Sequence, residues 1–409
     1  MSEITTDIVV LGGGMVGMAL AYQLSERDSD LTITVIDKEP EIGRHSSGRN
    51  SGVLHAGIYY PPGTLKAKVC VQGARRLRAW CENEGLPLLA CGKVIAPQTS
   101  ELDGQLELLL ERGRANGAEV RLINHQEFKQ RVPDGRTASG RALWSPGTCV
   151  VKPKLVMQRL EQRLRERGVS FALGATVCGV SPDKRQLNLK HSGESSTLSY
   201  GHLFNATGLQ ADRIAKVFGL GHDCTLLPFK GLYWQLDPRA PFNFTTNLYP
   251  VPDLNVPFLG VHVTPSPDGS ISLGPTAIPA LGRENYRGFD GIEPLMALEF
   301  LGDLASQWWR NAGGFRQYAR EQALHGLKPL FLKAAQALVP GLRSDHLIPS
   351  QKVGIRAQLY DRRSGTLVQD FRLEHGPAST HVLNAISPAF TASFALADLI
   401  IKESSLASH

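Results

Sequence analysis

Three glycines, Gly12, Gly14 and Gly17, sit in the stretch VVLGGGMVGMAL with the G-x-G-x-x-G spacing that can cradle a diphosphate. The first permits a sharp turn, the second lets backbone approach a pyrophosphate, and the third lets a helix pack closely on a strand. Asp37 follows about 20 residues later, where a carboxylate can accept hydrogen bonds from an unphosphorylated ribose. A polar run comes next: Ser46, Ser47, Gly48, Arg49, Asn50, Ser51 and Gly52. Its backbone N–H groups can lie against a second diphosphate face or a ring; by composition alone the same run is a surface loop. Two histidines, His55 in LHAG and His262 in GVHV, interrupt small or apolar strand-like runs. Histidine suits general-base work because its ordinary pKa lies near neutrality, although a lone one in such a run is more often a hydrogen-bonded core residue.

Recognisable elements must hold these residues. DIVVLGG reads as a buried strand, GMVGMALAYQLSERD as a helix and LTITVIDK as a second, β-branched strand, so the chain opens with a βαβ unit. The helix N-terminus then faces the phosphates, and this context turns a weak glycine pattern into a prediction of dinucleotide binding. VSFALGATVCGVSP, LNLKHSG and TLSYGHLFNATG predict a β-meander returning to the sheet. LFNATGLQADRIAKVFGL has the form strand, glycine turn, helix, which by itself is more often purely structural. Residues from about 226 to 280 alternate apolar and polar positions with many prolines, as edge-rich strands do. The segment 293–342 is helical in pattern, and a last helix opens at Pro388, a residue suited to a first turn.

With 409 residues, 42% hydrophobic and 20% charged, the sequence is that of an ordinary globular protein with room for one large or two medium domains. The net charge is +6, but the basic residues are scattered, and the densest groups (GARRLRAW, QRLEQRLRERG) read as solvated helix faces. No nucleic-acid partner is therefore expected; the positive balance suits an anionic substrate or a membrane surface. Six cysteines stand singly without a C-x-x-C pair, which argues against a metal cluster or disulfide framework and favours a reducing compartment. No metal is expected. Neither a signal peptide nor an apolar run long enough to span a bilayer is visible. The expected location is the cytoplasm, with peripheral attachment to the inner face of the cell membrane as a compatible variant.

The segments NSGVLHAGIYYPPGTLKA, LPFKGLYW, YPVPDLNVPFLGVHVT, SLGPTA, KVGIRAQ and LNAISPAFTASFALADLI run in order from Asn50 to Ile400. With the opening βαβ unit they make the chain similar, over essentially its whole length, to the FAD-dependent oxidoreductases of the D-amino-acid oxidase class. Within that class it most resembles the L-2-hydroxyglutarate dehydrogenase/oxidase branch. The resemblance implies an α/β (α+β) fold, a Rossmann-like FAD-binding domain with a discontinuous substrate domain built on an antiparallel sheet. The FAD-binding parts are expected at 1–88, 149–225 and 346–409, the substrate-domain parts at 89–148 and 226–345.

FAD is the implied cofactor. Its implied contacts begin with Gly12, Gly14, Met15 and Val16, then Asp37 and Lys38, then Ser46, Ser47, Asn50, Ser51 and Gly52. Val177 is another, as are Ala206, Thr207 and Gly208 of the second cofactor motif, which starts at Asn205. Gly354, Arg356, Ser387, Pro388, Ala389 and Thr391 complete the set. The N-terminus of the last helix would point at the flavin pyrimidine carbonyl and stabilise the anionic reduced ring. Two departures from the wider class are visible: Ile386, Ser387 and Pro388 replace a glycine-rich turn, and Asp37 stands where flavoproteins more often carry Glu.

The implied reaction oxidises L-2-hydroxyglutarate to 2-oxoglutarate by hydride transfer to flavin N5, with electrons passed to a quinone pool or another acceptor such as oxygen. A small dicarboxylate partner calls for cationic and hydroxyl donors. Arg356 is the first candidate clamp, its bland alternative being a surface ion pair; Lys230, where relatives often have Arg, is the second. Tyr59 and Tyr60 are candidate donors, one of them alternatively a packing residue. His262 is the preferred base because it comes from the substrate domain, with His55 placed against the flavin or sharing the carboxylate. Oxidation of another small anion, an amino acid or glycerol 3-phosphate, is the alternative reaction. A flavin-binding sensor without turnover is a third reading, opposed by the Arg and His candidates. No covalent flavin is expected.

Overall fold

A computed structural model describes residues 3–254, 259–311, 316, 319–320 and 325–408. Residues 255–258 of the YPVPDLNVPFLGVHVT segment, and part of the 293–342 helical segment, lie outside the described residues. The opening unit consists of β1 (Glu3–Leu11), α1 (Met15–Arg27) and β2 (Ile33–Asp37). Ile8, Val9, Val10 and Leu11 are all buried, as befits a central parallel strand covered on both faces. β1 pairs in parallel with β2 on one side and with the strand Glu194–Asn205 on the other. The strand Ser170–Leu173 extends the β2 edge, while Thr176–Ser181 and Gln186–His191 return antiparallel onto Glu194–Asn205, the meander read from the sequence. Ser379–Val382 adds in parallel to the same strand, and with Leu373–Gly376 the sheet reaches eight strands.

Apolar residues of α1 and of the helices Leu65–Asn83, Pro153–Glu166 and Ala389–Glu403 share one core against this sheet, with Met18, Leu20, Leu77, Leu160 and Leu396 fully buried. Gly73 lets Leu65–Asn83 cross close to Ala389–Glu403: a Cβ there would stand 2.5 Å from Ala392 Cα. That crossing fixes where the last helix begins.

A second, ten-stranded sheet is organised around the long antiparallel pair Cys224–Leu236 and Leu347–Asp361. From it run Ile271–Gly274, His262–Pro265, Asn247–Pro250, Lys93–Ala96, Ala142–Ser145 and Arg121–Ile123. The sheet is antiparallel except where Asn247–Pro250 pairs in parallel with Lys93–Ala96, the junction that recruits the 89–148 segment. The expected boundary at 346 is displaced. Leu347–Asp361 pairs with Cys224–Leu236 from end to end, so the chain leaves the second sheet only after Thr366–Leu367 and rejoins the first at Leu373. A three-stranded sheet of Val53–Leu54, Leu88–Leu89 and Cys149–Val151 connects the two. Among the described residues no helix is long and apolar enough to cross a membrane.

Candidate active site

One cavity lies where the turn after β1, the polar run, the turn after Asn205, the second sheet and the start of the last helix converge. Its first end is backbone. Gly12 has φ +106°, and a Cβ there would lie 2.5 Å from the Ala206 carbonyl oxygen; a Cβ on Gly17 would lie 2.0 Å from the Gly12 oxygen. The α1 N-cap, Gly14, brings no side chain, and the first turn carries no acid. Ser47 Oγ accepts the Met15 N–H at 2.8 Å, and Gly14, Met15 and Val16 line the cavity with the positive end of the helix. A bare helix N-terminus beside a glycine turn fits a diphosphate group.

Asp37 also lines this end, yet its carboxylate already holds the turn: Oδ2 accepts the Gly13 N–H at 2.7 Å and Oδ1 the Glu39 N–H at 2.9 Å. A carboxylate has about four acceptor positions, so a ribose hydroxyl can still be bound. Lys38 lines the same end, its ammonium bonding Glu39 at 2.5 Å and Glu284 at 2.9 Å. No metal-ligand spacing was visible in the sequence, but the fold gathers Glu39, His45 and Glu284 with ligand atoms within 4.8 Å of one another. The Lys38 ammonium bonds both of those carboxylates, and so occupies the place a cation would take.

The polar run forms one helical turn, Ser46–Arg49, rather than an open loop. Ser46 Oγ donates to the Ile355 carbonyl at 2.8 Å, Asn50 Nδ2 to the Ser47 carbonyl at 2.7 Å, and the Arg49 guanidinium lies 4.2 Å from the Tyr286 ring centre. Ser46, Ser47, Asn50 and Ser51 line the cavity; Gly52 does not. Its φ of +81° and the Val151 oxygen, 2.2 Å from where a Cβ would be, make it a support of the loop instead. Val177 is also displaced from the wall. It packs half-buried against the Val9, Leu11 and Ile36 cluster on the meander. Asn205 shapes the second turn by accepting from Thr207 N and Oγ1 while donating to the Ala211 carbonyl, and this sets Ala206, Thr207 and Gly208 on the wall. Ser387, Pro388, Ala389 and Thr391 close the cavity at the last helix, which starts at Ala389 with Pro388 as its N-cap. Thr391 Oγ1 donates to the Val53 carbonyl and accepts the His55 N–H, tying that helix to the strand bearing the polar run.

At the other end the second sheet contributes Gly231, Tyr233, Tyr249, His262, Gly354 and Arg356, joined by His55. His262 Nδ1 lies 2.8 Å from the Gly260 carbonyl, which can only accept, so Nδ1 carries the hydrogen and Nε2 keeps its lone pair. Its ring stacks on Tyr249 with centroids 3.8 Å apart and an interplanar angle of 14°. Burial, with Arg356, Lys93 and Lys352 adding their positive charges, pushes the His262 pKa down to about 3. His55 is held well below its ordinary value by burial, then by Lys93, His262 and Arg356. Among the described lining residues the only carboxylates are Asp37 and Glu284, both at the diphosphate end. Arg356 gives the sheet end a guanidinium.

Besides Gly52 and Val177, three expected site residues stand off the wall. Strand alternation turns Gly231 and Tyr233 to the cavity and Lys230 to the opposite face, where Nζ donates to Asn285 Oδ1 at 2.9 Å. Tyr59 is buried one layer behind, its ring 5.0 Å from Lys93 Nζ. Tyr60 is likewise a second layer, its hydroxyl beside Ser387. Tyr233, Tyr249 and Lys93 went unread in the sequence. The tyrosines lie inside LPFKGLYW and YPVPD, and counting two residues on from Gly231 would have found the first.

The family model described as FAD dependent oxidoreductase matches residues 7–403. A protein of Indibacter alkaliphilus named L-2-hydroxyglutarate dehydrogenase is 33% identical, covering 95% of this chain and 96% of that protein. The human protein named L-2-hydroxyglutarate dehydrogenase, mitochondrial is 35% identical over 97% of this chain and 88% of its own length. In fold the chain is similar to FAD-bound L-alpha-glycerophosphate oxidase from Mycoplasma pneumoniae, with a TM-score of 0.75 at 21% identity over 98% of this chain and 94% of the other. Glycine oxidase from Geobacillus kaustophilus gives a TM-score of 0.71 at 18% identity, covering 98% and 94%.

Proposed function

This chain belongs to the FAD-dependent oxidoreductase family, and from that premise we propose that it oxidises L-2-hydroxyglutarate to 2-oxoglutarate. The observation that carries the reading is that the Arg356 guanidinium, buried His262 and half-buried His55 face the same space, while both described lining carboxylates lie at the other end. Relatives of matching length bear the name of that activity.

Bound FAD supplies the acceptor for the hydride that leaves the carbinol carbon. Arg356 binds the carboxylate next to that carbon, its planar fork matching two oxygens. His262 takes the hydroxyl proton at Nε2, the nitrogen left bare by the Gly260 contact. Burial keeps that imidazole neutral, the form that can accept a proton, and a carboxylate docked on Arg356 offsets one of the positive charges that oppose its protonation. His55, anchored through its backbone to Thr391 and lining the same wall, shares the carboxylate. The first-turn N–H groups of α1, the Asp37 carboxylate and the Thr207 turn would hold the dinucleotide. The Ala389–Glu403 N-terminus, on the cavity wall, would offer its positive end to negative charge on the reduced flavin.

The test is anaerobic mixing of purified FAD-loaded protein with L-2-hydroxyglutarate, its D isomer, glycerol 3-phosphate and L-amino acids. The first should bleach the flavin absorbance; bleaching by another compound but not by the first overturns the substrate. Arg356→Met should raise KM by about two decades, roughly 2–3 kcal/mol of lost charged hydrogen bonding, with the flavin spectrum intact. Reoxidation by a soluble quinone analogue compared with oxygen then identifies the electron acceptor.

A further inference from the structure

Lys93 opens the strand Lys93–Ala96 and is 0% exposed. Its Nζ has no hydrogen-bond partner and no ion pair among the described residues. Two aromatic rings hold it: the Tyr59 centroid is 5.0 Å away and the Tyr249 centroid 4.8 Å. Tyr249 is at once a cavity wall and the stacking partner of His262. We propose that Lys93 is a specificity-determining residue: its buried ammonium, seated behind Tyr249 with no counter-ion, makes the cavity select substrates bearing two carboxylates over those bearing one. This inference rests on the hydroxy-acid reading above.

An ammonium taken out of water without a partner is costly, and ring faces return only part of the loss. Among the described residues, every titratable group facing Lys93 leaves it uncompensated. Burial pushes the thiols of Cys70 and Cys91 up to about 12 and 11, so both are neutral. Burial raises the Tyr59 and Tyr249 phenols as well. His55 and His262 are neutral, and each feels the Lys93 charge as repulsive to its own protonation. Across the strand junction the partner in register is Asn247, another uncharged residue. No described residue supplies the balancing negative charge, and what the cavity binds can supply it. Arg356 answers one carboxylate; a second, at the far end of a five-carbon diacid, answers Lys93 through low-dielectric surroundings in which a charge is felt over several ångströms. Without that ligand, burial holds the Lys93 pKa down to about 8.

The experiment is calorimetric titration of the FAD-loaded protein with glutarate and with pentanoate, which have equal length but two carboxylates against one. Lys93→Met should weaken glutarate binding about tenfold or more while moving pentanoate by less than roughly twofold, and Lys93→Arg should keep the preference. Wild-type glutarate affinity should also fall above about pH 8 as the ammonium is lost, a fall absent in Lys93→Arg, whose charge persists. Lys352, over the Tyr233 ring and also held near 8, is present in both proteins and cannot produce that difference. The proposal is overturned if Lys93→Met binds glutarate like the wild type, or loses both acids equally. Should that variant not fold, matching pH profiles for wild type and Lys93→Arg overturn it instead. A wild type that L-2-hydroxyglutarate does not reduce defeats the substrate reading itself; wild-type reduction with unchanged selectivity in Lys93→Met defeats only the role of Lys93.

Discussion

A base needs a lone pair aimed at its proton, and His262 keeps one because Gly260 takes the hydrogen of its other nitrogen. Removing the imidazole should cost far more in chemistry than in binding. His262→Asn is expected to slow anaerobic flavin reduction by about 10²–10⁴-fold, with Kd for glutarate changed only a few-fold. Stopped-flow reduction checks this, and a slow His55→Asn beside a fast His262→Asn would exchange their roles. The wall positions of the two histidines were legible because each interrupts a small or apolar run, and that of Arg356 because VGIRAQ lies just before the C-terminal cofactor segment. Lys93 was not. A lysine at the head of KVIA reads as a solvated strand entry, and only the parallel pairing with Asn247–Pro250, 154 residues away in sequence at its first register pair, buries it. Lys230 failed in the opposite sense, since a conspicuous charge in LPFKG sits on the wrong face of its strand.

The last helix is placed by an element it touches rather than by its own sequence. Its N-terminus reaches the cavity because Gly73 lets Leu65–Asn83 lie against Ala392. Gly73→Val has nowhere to put its methyls but the Ala392 backbone, and the overpacking should cost about 1–3 kcal/mol. A melting temperature a few degrees lower, with less FAD retained after dialysis, is the expected outcome; wild-type values in both would show that the crossing does not set the wall. The βαβ unit and the meander were plain in the sequence, because strong hydrophobic periodicity and glycine turns are local signals. Strand register is not local. The irregularity between Leu232 and Trp234 and the full-length pairing of Leu347–Asp361 decide which residues face the cavity and which sheet owns 347–361, and neither leaves a mark in composition.

Buried histidines make the whole molecule sensitive to mild acid. Burial, with neighbouring His375, holds His202 and His381 down to about 4, and His262 lies near 3. The unfolded chain binds protons at its ordinary histidine value near 6.5, so between about pH 6.5 and 4 it holds more protons than the folded one. Stability conferred by these groups is complete above that window and drains away as pH falls through it. Melting temperature should therefore decline already between about pH 6.5 and 5, before most carboxylates titrate, and His381→Gln should flatten the decline; a curve that stays level to pH 5 would contradict this. His381 Nδ1 accepts from the Asn205 amide that shapes the Thr207 turn, so the same protonation should loosen dinucleotide retention. The alternation of segments between two sheets carries one more consequence, for biosynthesis. Gly354, Arg356 and Ser387–Thr391 emerge from the ribosome after every other stretch of the wall. A nascent polypeptide halted near residue 345 has a diphosphate turn and a histidine pair but an open trough, and flavin can be enclosed only once residues 354–391 have been added.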